Sequence, residues 1–155
     1  MRLVAGAAVL GVVLIGSPAV AQEESVEERR FVNVQFGGCL DASSGDETLA
    51  VMPCSAEAGD YQVWYTIQSD LHGGPMQIIN KATGYCLEGY RPLVLQEPCY
   101  GASNPTQQWN PVPGDGGAVS YENYAYPGRM TQRGASPWTI GLVTDPLDAR
   151  GLWAR

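Results

Sequence analysis

Residues 99–109 read CYGASNPTQQW and residues 54–64 read CSAEAGDYQVW. Each is a Cys, seven residues, a Gln, one free position and a Trp, and the two Trp residues stand 45 apart. Trp153 follows Trp109 by 44 residues, and ten positions before it stands Val143, where the other copies have Cys54 and Cys99. Counting back again, Cys86 lies 13 before Cys99 and Met130 lies 13 before Val143; in the first copy Cys39 lies 15 before Cys54. One phrase is written three times, the third time with apolar residues counted into both cysteine positions.

The entrances to the first two copies also match. Phe31-Val32-Asn33 and Ile78-Ile79-Asn80 each end six residues before their first Cys, whereas Tyr121-Glu122-Asn123 stands one residue out of step before Met130. Three units of about 42 residues, over 31–70, 76–115 and 118–155, cover residues 31–155. Repeats of this size build an array, a closed ring or a propeller.

Four cysteines permit three pairings, and spacing alone does not choose among them. A Met–Val contact fills about the volume of a compact, apolar cystine without its crosslink. The third copy therefore favours one bridge inside each of the others, Cys39–Cys54 and Cys86–Cys99. Each closes a loop of about 15 residues, worth roughly 3 kcal/mol in the chain-entropy account. Zinc is not expected, because there is no C-x-x-C pair and His72 is the only histidine. The expectation is no metal and no cofactor.

Ahead of the repeats, Met1-Arg2, an apolar run from Leu3 to Ile15 and Ala19-Val20-Ala21 have the layout of a secretory signal peptide over residues 1–21. The alternative is an uncleaved anchor, since residues 3–22 carry no charge and about 20 residues span a bilayer. Pro18, the glycines and the small-residue site favour cleavage, leaving 134 residues from Gln22. Such a chain is secreted, extracellular or periplasmic, where disulfides persist. Residues 22–30, with EESVEE at 23–28, read as an acidic, flexible lead-in. The formal charge of −7, or −8 without Arg2, argues against nucleic acid as a partner, because a phosphate backbone needs clustered Lys and Arg. Membrane-surface attraction is disfavoured on the same ground. No membrane insertion is expected once the signal is removed.

Eleven Pro and 19 Gly leave no long helical period intact. Short runs such as FVNVQF, TLAVM, QVWYTI, MQIIN, PLVLQ and WTIGLV are bounded by turn residues and read as strands. That makes an all-β chain of about four strands per unit and roughly twelve in all. Three units are too few for a propeller, and an open stack exposes sheet edges. A closed barrel with threefold pseudosymmetry avoids both difficulties.

With Gln62-Val63-Trp64 and Gln107-Gln108-Trp109 as Q-x-W signatures, and Cys39-Leu40-Asp41 and Cys86-Leu87-Glu88 ahead of them, the chain resembles the ricin B-type lectin domains, which are β-trefoils. The resemblance spans residues 31–155 and weakens in the third repeat, where Gly151-Leu152-Trp153 lacks the Gln. It implies a six-stranded barrel capped by three hairpins, with up to one shallow sugar pocket per repeat. It also implies that the repeat Trp residues pack in the core. Trp138 has no counterpart in the other repeats, and both a core and a platform role stay open for it.

In that family an Asp two after the first Cys accepts sugar hydroxyls, and the Gln of Q-x-W adds an amide. Here Asp41 and Gln62 match in the first repeat, and Glu88 and Gln107 stand in the second. Gln132 stands at the Asp place in the third. The usual stacking ring, two before the second Cys, is missing: Met52, Glu97 and Gly141 stand there. Tyr61, Tyr90 or Tyr100 could supply a ring instead. Asp41 also heads DASSGDE, so a plain turn role is open to it. That segment lacks the full calcium-loop pattern, and His72 has no nucleophile signature near it.

Two functions follow. One is a secreted, non-catalytic carbohydrate-binding trefoil whose partner is a glycan or glycoconjugate, with sugar contacts at Asp41, Gln62, Tyr61, Glu88 and Gln107. The other is a trefoil that has lost sugar binding and works through a protein partner. The resemblance offers the cell-binding subunits of cytolethal distending toxins as an example of the second.

Overall fold

The computed structural model describes residues 26–154 apart from residues 44, 69–73, 102, 135–139 and 145–148. The segment read as a signal peptide, His72 and Trp138 lie outside the described residues. Thirteen strands are described: β1 (Val26–Arg29), β2 (Val32–Asn33), β3 (Gly38–Asp41), β4 (Ala50–Pro53), β5 (Trp64–Gln68), β6 (Met76–Asn80), β7 (Cys86–Tyr90), β8 (Leu93–Glu97), β9 (Trp109–Pro113), β10 (Val119–Asn123), β11 (Arg129–Gln132), β12 (Ile140–Val143) and β13 (Trp153–Ala154). There is no α-helix among the described residues, only short 3-10 turns. The strands are half-buried ones: in MQIIN, residues 76, 78 and 80 point inward and 77 and 79 are only partly covered.

Antiparallel pairing closes a ring. β1 pairs β5, β5 pairs β6, β6 pairs β9, β9 pairs β10, β10 pairs β13, and β13 returns to β2. β1 and β2 are two halves of one barrel strand, so the barrel has six staves. The hairpins β3–β4, β7–β8 and β11–β12 cover one end. A closed barrel leaves no strand edge open for pairing with another chain. The lead-in over 22–30 differs from its expected flexibility from Val26 onward, because Val26–Arg29 is held as β1 against Ile67 to Trp64.

Both disulfides form as expected, Cys39–Cys54 and Cys86–Cys99. The third repeat is different from its expected register. Each repeat Trp donates its indole N–H to a carbonyl at the start of its hairpin: Trp64 to Leu40 (3.1 Å), Trp109 to Leu87 (2.9 Å) and Trp153 to Met130 (3.1 Å). Across the hairpins Cys39 faces Met52, Cys86 faces Glu97 and Arg129 faces Val143. Arg129 thus occupies the first-cysteine position, and Met130 corresponds to Leu40 and Leu87. Met130 and Val143 do not face each other in place of a cystine; Met130 faces Leu142. With this register Asn123 stands six before Arg129, in step with Asn33 and Asn80. Counting back from the Trp gives a different register, because the return from Val143 to Trp153 is two residues shorter than those from Met52 and Glu97 to their Trp, and the Arg129–Val143 hairpin is longer than the other two. Two positions move with it. Thr131, not Gln132, is the counterpart of Asp41, and Val143, not Gly141, is the counterpart of Met52 and Glu97.

The core carries the threefold pattern. Trp64, Trp109 and Trp153 are fully enclosed, with Leu40, Leu87 and Met130 beside them. Phe31, Ile78 and Tyr121, each two before a repeat Asn, complete the set. Phe31 meets Trp64 and Tyr121 edge-to-face at 6.4 and 5.1 Å. Burying one indole contributes roughly 5 kcal/mol of gross hydrophobic stabilisation. The bonded indole N–H keeps that burial free of an unpaired donor.

Candidate functional site

Asp41 ends β3 and Gln62 ends the 3-10 turn Gly59–Gln62. The Gln62 amide donates to Asp41 Oδ2 (2.9 Å) and to the Pro53 carbonyl (3.0 Å), and its Oε1 accepts from the Ser55 N–H (3.1 Å). Asp41 Oδ1 accepts from the Ser43 N–H (2.7 Å). Both side chains are nearly closed to solvent, at 3 % and 1 % exposure. The second repeat repeats the arrangement: Gln107 donates to Glu88 Oε2 (2.8 Å) and the Pro98 carbonyl (2.9 Å), and accepts from Tyr100 N–H (3.0 Å). Both amide hydrogens of each Gln are therefore spent inside the protein. In the third repeat Thr131 and Gly151 take the two places, and a Cβ on Gly151 would lie 3.1 Å from Thr131 Oγ1. The third repeat therefore carries no acid–amide pair.

The residue before each of these places is held by the next repeat. Asn80 Nδ2 donates to the Tyr61 carbonyl (2.9 Å), Asn123 to that of Thr106 (2.8 Å) and Asn33 to that of Arg150 (2.8 Å). Each Asn also accepts two backbone N–H bonds through Oδ1, which folds the turn after it. All three are buried. A buried amide with every group paired specifies one geometry, because any other leaves a desolvated donor or acceptor. The three Asn residues thus lock the repeats to one another, and they lock Tyr61 on its turn with the ring outward.

Tyr61 stands at the edge of a cleft of about 420 Å³ between the first and second repeats. Its walls include Asp46 and Glu47 from the β3–β4 loop, and Thr83, Tyr85 and Gln96 from the second repeat. The rings of Tyr61 and Tyr85 are 44 % and 42 % exposed. Gln96, only 2 % exposed, fastens the two repeats together. Its amide donates to the Ala42 (3.2 Å) and Asp46 (2.9 Å) carbonyls and its Oε1 accepts from Thr83 Oγ1 (3.1 Å). Asp46 Oδ1 accepts from the Thr48 N–H (2.8 Å), which shapes the loop as a turn. Glu97 holds its proton more firmly than an ordinary Glu, first because it is desolvated and then because Glu47 and Glu88 are near.

Of the residues singled out in the sequence, Asp41 and Gln62 are brought together as an internal pair, and Tyr61, the residue before Gln62, is exposed at the cleft. Glu88 and Gln107 form the matching pair in the second repeat. Tyr90 and Tyr100 are exposed. The sequence reading did not single out Gln96, Tyr85, Asp46 or Glu47. Gln96 had a signal: in LVLQE it shares the inward phase of Val94, a polar side chain on the buried face of a strand. Among the described residues no group of three or more His, Cys, Asp or Glu is placed to hold a metal ion.

No protein-family model and no curated protein matches the sequence. Solved structures match its fold. The designed 3-fold symmetric protein ThreeFoil aligns with a TM-score of 0.67 at 17 % identity, over 82 % of this chain and 96 % of that one. The Haemophilus ducreyi cytolethal distending toxin aligns with 0.66 at 18 %, over 81 % and 80 %. The GlcNAcα1-4Gal releasing endo-β-galactosidase from Clostridium perfringens aligns with 0.67 at 16 %, over 82 % of this chain and 32 % of that one. The chain spans about a third of that enzyme's length. Identities this low carry the fold alone, and that fold is a β-trefoil.

Proposed function

We propose that the chain is an exported, non-catalytic carbohydrate-binding trefoil of the ricin B-type lectin kind, with its sugar site in the cleft beside Tyr61. The observation that carries this reading is the meeting of two half-exposed tyrosine rings with the carboxylates of Asp46 and Glu47 in one cleft. A pyranose has an apolar face for a ring and hydroxyls for a carboxylate, and partial burial makes each unmatched hydroxyl costly. Asp41 and Gln62 act beneath the site: they hold the turn that presents Tyr61. The second repeat retains the same foundation in Glu88 and Gln107. Shallow sites with few contacts bind in the millimolar range, about −4 kcal/mol. That the matched structures include a galactose-linkage enzyme accords with this reading.

The test is a glycan array followed by calorimetry. Wild type binds at least one glycan class. Tyr61→Ala, at an exposed position, weakens that binding about tenfold or more without moving the unfolding midpoint. An empty array overturns the reading, and unchanged binding by Tyr61→Ala removes the site from this cleft.

A second reading, a protein-interaction trefoil such as a toxin subunit, is favoured by the aromatic surface of Tyr90, Tyr100 and Tyr124, each more than half exposed, with Leu93 at the β7–β8 turn. Capture of a stoichiometric partner that free glycan does not displace supports it over the first.

A further inference from the structure

The three borders between repeats are built from equivalent positions that carry different residues. Between the first and second repeats those positions are Ala42, Thr83, Tyr85 and Gln96; between the third and first they are Gln132, Phe36, Gly38 and Val51, by the strand registers. A second cleft, of about 460 Å³, opens at the third-to-first border, walled by Phe36, Val51, Met52, Pro53 and Gln132. Its size falls within the roughly 300–1,000 Å³ of small-ligand sites.

Its polar group is unusual. Gln132 is 3 % exposed; its Nε2 donates to the Gly134 carbonyl (3.0 Å), but its Oε1 has no donor. A buried acceptor without a partner costs stability. At the other border Gln96 uses its whole amide, whereas its counterpart here, Val51, has nothing to offer. The terminal torsion of a Gln side chain is soft, so its amide re-aims toward an incoming donor at little cost. Phe36, at 41 % exposure, and Met52 supply an apolar wall beside it.

We infer that this border is a second ligand site, distinct from the acid–amide places inside the repeats, and that it takes a hexopyranose: one hydroxyl donates to Gln132 Oε1 while an apolar ring face lies on Phe36. This rests on the reading of the chain as a glycan binder and places a site within it. The ligand completes the hydrogen bond that folding leaves unmade.

The test uses the oxidised protein and two probes, methyl β-D-galactopyranoside and N-acetyl-D-glucosamine, titrated at millimolar concentration while backbone and side-chain amide NMR signals are followed. At least one probe shifts Phe36, Gly37 and the Gln132 side-chain amide together. Gln132→Met fills a similar volume without an acceptor; it weakens these shifts at least tenfold in affinity while its unfolding midpoint stays at or above that of wild type. Binding equal to wild type in Gln132→Met overturns the inference. So does joint loss of binding and stability, which marks Gln132 as part of the fold. Shifts confined to Tyr61 and Tyr85 overturn the inference and support the first site; no shift by either probe, with an empty glycan array, overturns both.

Discussion

The border between the first and second repeats and the border between the third and first are the same place in the trefoil, built from opposite chemistry. At the first, Gln96 crosses the gap and satisfies two carbonyls and the Thr83 hydroxyl, with every atom of its amide used. At the second, Phe36 and Val51 replace Thr83 and Gln96, and the amide has moved to Gln132, where its oxygen is unpaired. At the border between the second and third repeats the place of Gln132 falls to Gly89. There a Cβ would lie 2.6 Å from the Asn123 amide, and Tyr126 packs against the core. Pseudosymmetry repeats the backbone but does not oblige the side chains to agree. The lesson is that one border is a fastener and another is left open, and an open border with an unpaired acceptor is where a ligand gains most.

The largest effect should come from breaking the fastener. Gln96→Leu strips partners from two carbonyls and a hydroxyl and lowers stability by about 3 kcal/mol in denaturant unfolding. It also loosens the β3–β4 loop that carries Asp46 and Glu47, so glycan binding beside Tyr61 falls with it. Phe36→Thr, which copies the other border's residue at a half-exposed position, changes stability by less than about 1 kcal/mol. Equal costs for the two changes would erase the distinction between the borders.

A smaller effect of opposite sign is expected at Gln108, the middle residue of the second Q-x-W. It is 4 % exposed and neither its Oε1 nor its Nε2 has a partner, while its counterparts are Val63 and Leu152. Gln108→Val should therefore raise stability by about 1 kcal/mol, read from the denaturation midpoint. A loss would mean that the amide is satisfied in solution.

The smallest effect is electrostatic and depends on pH. Glu97 has a raised folded-state pKa, from desolvation first and then from Glu47 and Glu88. Its contribution to stability is then fullest below its unfolded value, about 4.3, and is lost as pH rises through the folded value. Glu97→Gln should unfold at a slightly higher temperature than wild type at pH 7, with the difference vanishing below about pH 4. A difference that persists in acid would assign the effect to packing instead.

Much of the barrel was readable from Trp64, Trp109 and Trp153, because a large side chain enclosed by a threefold core must recur at nearly equal spacing. The two cystines form as expected, but the Met130–Val143 contact that favoured them does not, since Met130 faces Leu142. The third repeat is less legible: without cysteines to anchor it, the count from Trp153 crosses a shorter return and a longer hairpin, and lands on Gly141 instead of Val143 and on Met130 instead of Arg129. Asn123 carried the correction in the sequence itself, since it is out of step with Met130 and in step with Arg129. The acid and amide at Asp41 and Gln62 were legible as a pair. That Gln62 donates to Asp41, and that the neighbouring Tyr61 is left exposed, depends on which way the side chains turn.

The sequence by itself determined the threefold β architecture, because it follows from periodic burial and spacing along the chain. Only the tertiary structure decided what lies between the repeats. Ala42, Thr83 and Gln96, or Gln132, Phe36 and Val51, come from segments far apart in sequence, and whether their polar groups pair depends on the distance between them in the closed barrel. No spacing along the chain records that distance.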